Sequence, residues 1–141
     1  MRKRCHRTAG FTLIELLVVL FILGLLAALV APRFLGRVGK SKVQAAQTQI
    51  QLLATALDLY FLDIGRYPTQ DEGLKALWDK PDNEPMWSGP YLSKHIPKDP
   101  WGNDYVYKSP GENGPYDLYS LGADGSEGGE GENQDIAFSS R

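Results

Sequence analysis

The sequence GFTLIELLVVLFILGLLAALVA, residues 10–31, decides how the rest of this 141-residue chain is interpreted. Residues 11–31 are almost entirely apolar, and a helix of this length covers roughly 30 Å, the thickness of the hydrocarbon core of a bilayer. We therefore predict a membrane-spanning helix. Its unusual feature is Glu15, because a carboxylate costs on the order of 2.5–3.5 kcal/mol at the bilayer centre and less near an end.

A secretory signal peptide is the first alternative for this segment. Residues 1–10 contain four basic residues and no acid, as the start of a signal peptide does. However, the small residues around Ala31 are followed by Pro32, which is unfavourable after a cleavage site, and no A-x-A pattern is present. We therefore expect the apolar segment to be retained. Short basic leaders usually stay in the cytoplasm, so we expect the larger C-terminal part to be exported, although basic residues also follow the span.

Helical periodicity continues beyond the apolar segment. Apolar residues recur there at alternating spacings of three and four: Val43, Ala46, Ile50, Leu53, Leu57, Tyr60 and Ile64. This pattern predicts one long helix to about Asp63, ended by Gly65 and Pro68, with one apolar face in its second half. Pro32 is expected to bend the helix or unwind it locally.

The remaining sequence predicts a partner for that face. TQDE, residues 69–72, is a capping box that predicts a short helix to about Trp78. Residues 104–108 and 116–120 alternate as strands do, and a short last strand is expected near residues 135–139. The predicted fold class is therefore α+β: a long N-terminal helix, first transmembrane and then amphipathic, packed on a small antiparallel sheet.

The first residues of the apolar segment carry a family resemblance. GFTLIEL, residues 10–16, resembles the processing site of type IV pilins and pseudopilins. The resemblance implies that a prepilin peptidase cuts after Gly10 and N-methylates Phe11. Residues 1–10 would then be a cleaved leader, residues 11–31 the transmembrane and filament-core part of the helix, and residues 32–141 a pilin-like globular domain in the periplasm.

The C-terminal sequence narrows the resemblance. GRYPT (65–69), GPYL (89–92), DPWGNDYVY (99–107) and YDLYSLGADGSEGGEGENQDI (116–136) are similar to the major pseudopilins of the type II secretion system. This implies a structural subunit of a periplasmic pseudopilus that drives export of folded proteins across the outer membrane. The protein would be single-pass in the inner membrane. Its partners would be further copies in a helical filament, minor pseudopilins, the prepilin peptidase and an inner-membrane assembly platform.

Two other functions stay open at this point. A type IV pilus subunit for adhesion or motility shares the processing site, but such pilins usually carry a C-terminal disulfide, and the only cysteine here is Cys5. A membrane-anchored periplasmic binding module is less favoured, because it would need neither Gly10 beside Phe11 nor Glu15.

The resemblance also implies roles for Glu15 and Pro32. Processing leaves the α-amine of Phe11 as a second charge in a region of low dielectric, and in the family Glu15 of one subunit faces this amine of an adjacent one. The alternative is a glutamate that extends to the membrane interface. Family filaments imply that the helix loosens near Pro32 during assembly, whereas the simpler interpretation is a bend.

The acidic loop is the second candidate site. Five acids and four glycines fall within residues 124–135, which is the oxygen-rich, flexible composition that Ca²⁺ favours. The spacing does not fit an EF-hand, because Gly128 takes a position that needs a side-chain oxygen, and a solvated acidic turn is the alternative. The resemblance implies a structural Ca²⁺. Its expected ligands are the Asp124 carboxylate, the Leu121 carbonyl and the Asp135 carboxylate, with Ser126 and Asn133 as further candidate oxygens.

Nothing in the sequence favours catalysis or nucleic-acid binding. His95 stands alone, no Ser/His/Asp set or phosphate-binding glycine loop is evident, and the exported part has no basic patch. We therefore expect a protein that is not an enzyme and does not bind nucleic acid. Trp78, Trp87 and Trp101 are expected in the core of the small domain.

Overall fold

The computed structural model describes residues 10–112 and 114–138, with only the backbone of residues 31–37. Its elements, in chain order, are helix α1 (Leu13–Ile64), the 3-10 helix η1 (Leu74–Leu77), strands β1 (Val106–Lys108) and β2 (Asp117–Ser120), the 3-10 helix η2 (Gly131–Asn133) and strand β3 (Ile136–Ala137). Contacts divide the chain into two compact units, one up to Arg37 and one from Val38 onward.

The first unit is the N-terminal part of α1. Its segment Leu13–Val30 has a mean hydropathy of 3.0 and is exposed throughout, so it is long and apolar enough to cross a bilayer. The backbone is helical through residues 31–37, so the local unwinding expected at Pro32 is not found there. A bend at Pro32 and a role for it in assembly remain predictions.

Helix α1 begins with a side-chain cap. The Thr12 hydroxyl accepts a hydrogen bond from the backbone N–H of Glu15 at 3.3 Å, as an N-cap residue does for the third helical position. Glu15 also lies in the first turn, where a negative charge complements the helix dipole. The carboxylate therefore has a local role at the helix start, which the sequence analysis did not predict.

In the second unit, one face of α1 packs on the sheet as predicted. Within the periodic stripe, Ala46, Ile50, Leu53, Leu57 and Tyr60 are all buried, and Val43 and Ile64 pack against this core while staying partly exposed. Burying a side chain of the size of Leu or Ile contributes about 1.5–3 kcal/mol, so this face contributes several kcal/mol to the stability of the domain.

The sheet is antiparallel, in the order β1–β2–β3. Tyr107 of β1 pairs with Leu118 of β2, and Ser120 of β2 pairs with Ile136 of β3. The apolar members of these pairs are buried in the same core as the α1 stripe, while their neighbours along each strand are more exposed. All three predicted strands are present, each shorter than predicted, and the α+β fold class is confirmed.

The predicted short helix differs in type and length. The capping box forms: the Thr69 hydroxyl accepts from the Glu72 N–H at 3.3 Å, and the Glu72 carboxylate accepts from the Thr69 N–H at 2.8 Å. However, Gly73 follows with φ +55°, which interrupts the helical backbone, so only the 3-10 turn Leu74–Leu77 forms after it.

The prediction for the tryptophans holds in part, because Trp87 and Trp101 pack against the core while Trp78 is not among the residues that do. All three are partly exposed, and the buried aromatic residues are tyrosines. The indole N–H of Trp87 donates to the Ala76 carbonyl at 2.8 Å. An indole needs such a partner, and this favours the rim over the dry interior.

Candidate functional site

The predicted processing segment lies ahead of the helix and is accessible. Gly10 and Phe11 have no helical structure, and both are exposed, Phe11 to 86%. Glu15 follows within the first turn of α1 and is also exposed. The predicted cut after Gly10 would therefore fall in exposed, non-helical backbone. The side chain of Pro32 lies outside the described residues.

The acidic loop, residues 121–135, is closed at its base by backbone contacts. The Ala123 N–H donates to the Glu132 carbonyl at 2.8 Å. Gly122 has φ +68°, and a Cβ there would lie 2.7 Å from the Glu132 carbonyl oxygen and 2.8 Å from that of Gln134. The two ends of the loop thus run side by side, which places the segment of Leu121 and Asp124 along the segment that leads to Asp135.

Both expected aspartate ligands are positioned by loop amides. The Asp124 carboxylate accepts from the Ser126 N–H at 3.1 Å, and the Asp135 carboxylate accepts from the Gly128 N–H at 2.9 Å. Within the described part of the chain, no three His, Cys, Asp or Glu side chains lie close enough together to hold a metal ion by themselves. The expected set contains only two carboxylates, completed by carbonyl, hydroxyl and amide oxygens, so its donors are of the kind that Ca²⁺ takes.

A buried network supports the base of this loop. Asp99 is 4% exposed and accepts hydrogen bonds from the backbone N–H groups of Trp101 (3.0 Å) and Asn103 (2.8 Å) and from the Ser120 hydroxyl (2.6 Å). Ser120 Oγ in turn accepts from the Gly122 N–H at 3.2 Å. These bonds compensate the burial of a carboxylate and fix Gly122, so they hold the position at which the loop begins.

Glu132 has a role that sequence reasoning missed. Its side chain lies directly against the buried backbone of Gly39 on α1, where any Cβ would overlap the Glu132 carboxyl. The Trp101 indole N–H also points at this carboxylate, 3.5 Å away. A glycine within a helical pattern can indicate such a close approach, and here it marks where the acidic loop rests on the helix.

Arg66 forms the strongest ion-pair cluster of the second unit. Its guanidinium donates to both carboxylate oxygens of Glu72, at 2.7 and 2.8 Å, and also to Glu84. The hydrogen bonds from Arg66 lower the pKa of Glu72 to about 2. The same pairing raises the pKa of Arg66. The buried Tyr60 lies near this cluster, and burial raises its pKa to about 12. The cluster ties the end of α1 to the capping-box turn.

Glu72→Gln is expected to lower the free energy of unfolding at pH 7 by about 1–2 kcal/mol, because it removes a charge-assisted, bidentate pair. A carboxyl whose pKa is lowered on folding stabilises fully above its unfolded pKa, near 4.5, and this contribution is lost as the pH falls towards 2. Urea unfolding should therefore show the two chains converging between pH 4.5 and 2. A difference that stays constant over this range would contradict the assignment.

Gly122→Ala is expected to destabilise the domain by about 2 kcal/mol or more, because a Cβ adds both left-handed strain and a clash with the 132–134 backbone. Gly128→Ala is the matched control: Gly128 has φ +93° but nothing within 4 Å of a Cβ. It should cost only the strain, about 1 kcal/mol. Equal urea midpoints for the two variants would show that the loop base is not packed as described.

Comparison with known proteins first identifies the class of proteins whose N-terminal segment this chain shares. Residues 5–31 match the prokaryotic N-terminal methylation motif. This motif contains the Gly10–Phe11 bond and Glu15, and it extends to the end of the apolar segment.

The rest of the chain identifies the protein family. Residues 33–139 match the model of type II secretion system protein G, so the chain belongs to that family. It is 53% identical over 137 residues to the type II secretion system core protein G of Vibrio cholerae, covering 95% of this chain and 93% of the relative. It is 50% identical to the Pseudomonas aeruginosa protein of the same name, covering 96% of both. The resemblance found in the sequence is confirmed.

A solved structure agrees with the fold. The crystal structure of the major pseudopilin from the type 2 secretion system of enterohaemorrhagic Escherichia coli is 36% identical. It superposes with a TM-score of 0.60 and covers 73% of this chain and 90% of that chain. The family is one of structural pseudopilins, which favours a secretion filament over a type IV pilus or an anchored binding module.

Proposed function

We propose that this protein is the major subunit of a periplasmic pseudopilus whose growth drives export of folded proteins across the outer membrane. The observation that carries the proposal is the exposed apolar segment Leu13–Val30, which directly follows the open Gly10–Phe11 bond. Such a surface must be covered by lipid or by other helices. In a subunit that moves from the membrane into a filament, this surface is covered first by lipid and then by the helices of other subunits.

The proposed precursor is an inner-membrane protein with one span and its C-terminal domain in the periplasm. A prepilin peptidase removes residues 1–10 and methylates Phe11, which leaves residues 11–31 as the span and filament core. Support comes from the methylation motif and from the exposed, non-helical backbone on both sides of the proposed cut. Besides further copies of this chain, the proposed partners are minor pseudopilins and an inner-membrane assembly platform.

A structural Ca²⁺ in the acidic loop is part of the proposal. Leu121, Asp124 and Asp135 would hold it, with Ser126 and Asn133 as further oxygen ligands. The ion would neutralise neighbouring carboxylates and close the loop. The contacts of Gly122 and Ala123 with residues 132–134 support this, because they bring the two ends of the loop together. Glu132 is not assigned to the ion, since its carboxylate lies against Gly39.

The intact mass and N-terminal sequence of the protein from its native membrane test the proposal. A chain that begins at Phe11 and carries one additional methyl group is expected. A chain that still begins at Met1, in cells that contain the peptidase, would indicate an ordinary membrane anchor and contradict the proposed function.

A further inference from the structure

An apolar groove runs along the second unit between α1 and residues 91–97. Its volume is about 410 Å³. The buried side chains of Leu53 and Ala56 contribute to its lining, with Leu52 and Leu59 on the helix side and Leu92 on the other. Lys94 and His95 also line it, and both are exposed. The groove therefore combines apolar walls with a basic edge.

The helix side of the groove belongs to an exposed stripe of α1. Leu52 is 61% exposed and Leu59 is 46% exposed. Val38, 53% exposed, and Ala45 precede them at the same seven-residue interval, which keeps all four on nearly one side of the helix. The helix also contains the apolar segment Leu13–Val30, which the proposed filament buries. The stripe thus belongs to the same helix as the segment that the proposed filament buries.

Met86, elsewhere on the domain, is an exposed apolar side chain that suits this apolar groove. It is 67% exposed, and among the described residues it is the one large exposed hydrophobic outside α1 and its leading Phe11. Methionine is flexible and fills irregular apolar gaps well. Asp82, four residues earlier, is exposed, and neither it nor Lys94 forms an ion pair with another described residue. The loop that carries Met86 is thus complementary to the groove in both polarity and charge.

We propose that the groove binds the Met86 loop of a second copy of this chain, with Met86 between Leu52 and Leu59 and Asp82 near Lys94. The inference rests on the proposed filament and names the contact between its globular domains. Groove and loop are different surfaces, so the contact is heterologous. Such a contact adds copies without closing a ring unless the rotation happens to close, which fits an open filament.

Disulfide trapping tests this contact in the full chain, expressed with its secretion apparatus and carrying Cys5→Ser. Met86→Cys combined with Leu59→Cys should give, on oxidation, a ladder of dimers, trimers and longer products. Co-expression of the two single variants should stop at dimers, because each chain then has half of the contact. Met86→Cys with Lys75→Cys is the matched control and should give no ladder.

The outcomes separate the contact from the proposed function. Filaments seen by electron microscopy with no ladder above the control would overturn the contact and leave the function intact. Absence of filaments from the unsubstituted chain would overturn both. A crosslink from Leu59→Cys to a different protein would also overturn the contact.

A second variant pair avoids cysteine chemistry. Met86→Lys should lower filament yield at least tenfold, because it places a charge between the apolar walls of the groove and near the like charge of Lys94, whereas Met86→Leu should leave the yield unchanged. Unchanged yield in Met86→Lys would overturn the inference.

Discussion

Glu15→Ala is expected to abolish filament assembly while leaving the protein folded and inserted in the membrane. The proposed partner of Glu15 is the amine of Phe11 on an adjacent copy. Two unit charges about 4 Å apart gain about 4 kcal/mol at an effective dielectric constant of 20. The loss of that term would weaken each addition of a subunit by roughly a thousandfold. Sheared filaments, quantified by immunoblot, give the measurement.

The cap at Thr12 makes a control necessary. Because the Glu15 N–H bonds the Thr12 hydroxyl, a defect could come from a weakened helix start and not from a lost contact between subunits. Glu15→Gln keeps the size of the side chain and removes the charge, so it should fail as Glu15→Ala does. Thr12→Ala removes only the cap, which contributes about 1 kcal/mol, and this variant should still assemble. Mass spectrometry should show that Thr12→Ala is processed normally. Normal assembly of Glu15→Gln would contradict the hypothesis that Glu15 pairs with the amine of Phe11.

Chelation of Ca²⁺ is expected to lower the thermal midpoint of the soluble fragment of residues 38–141 by more than about 10 °C. A ligand at 100 to 1,000 times its Kd stabilises the folded state by about 2.7–4.1 kcal/mol. In a domain of about 100 residues, each kcal/mol shifts the midpoint by about 4–8 °C. Differential scanning calorimetry, with excess Ca²⁺ and then with EGTA, measures the shift.

Substitutions within the loop show whether the ion binds where we propose. Asp124→Ala should melt at the same low temperature with and without Ca²⁺. Glu127→Ala removes another exposed acid of the same loop that is not an expected ligand, so it should keep the full response. A Ca²⁺ response that survives in Asp124→Ala, or that is absent from the unsubstituted fragment, would contradict the site.

The parts of the fold that follow from local sequence patterns were predictable. The α1 stripe from Ala46 to Tyr60 is buried because three- and four-residue spacing places its members on one helix face. The capping box at Thr69 is visible in four consecutive letters and forms as predicted. The same Thr-x-x-Glu pattern begins at Thr12, and the cap that it indicates also forms there.

The features that sequence reasoning missed depend on contacts between distant residues. No local pattern pairs Gly39 with Glu132, or Asp99 with Ser120, because the fold alone brings these segments together. The helix after Thr69 was predicted too long because the positive φ of Gly73 outweighed the apolar periodicity that follows it. For the acidic loop, composition suggested Ca²⁺, and the structure adds which acid rests against the helix.

The place of β3 in the core has a consequence for the order of events during synthesis. Ile136 packs in the same core as the α1 stripe, although α1 ends at Ile64. The ribosome must therefore make nearly the whole chain before the core that covers the apolar face of the helix is complete. Contacts so far apart along the chain form slowly. During that interval the still exposed α1 stripe can bind chaperones or neighbouring nascent chains. The helix that is synthesised first is therefore the element whose apolar face stays exposed longest.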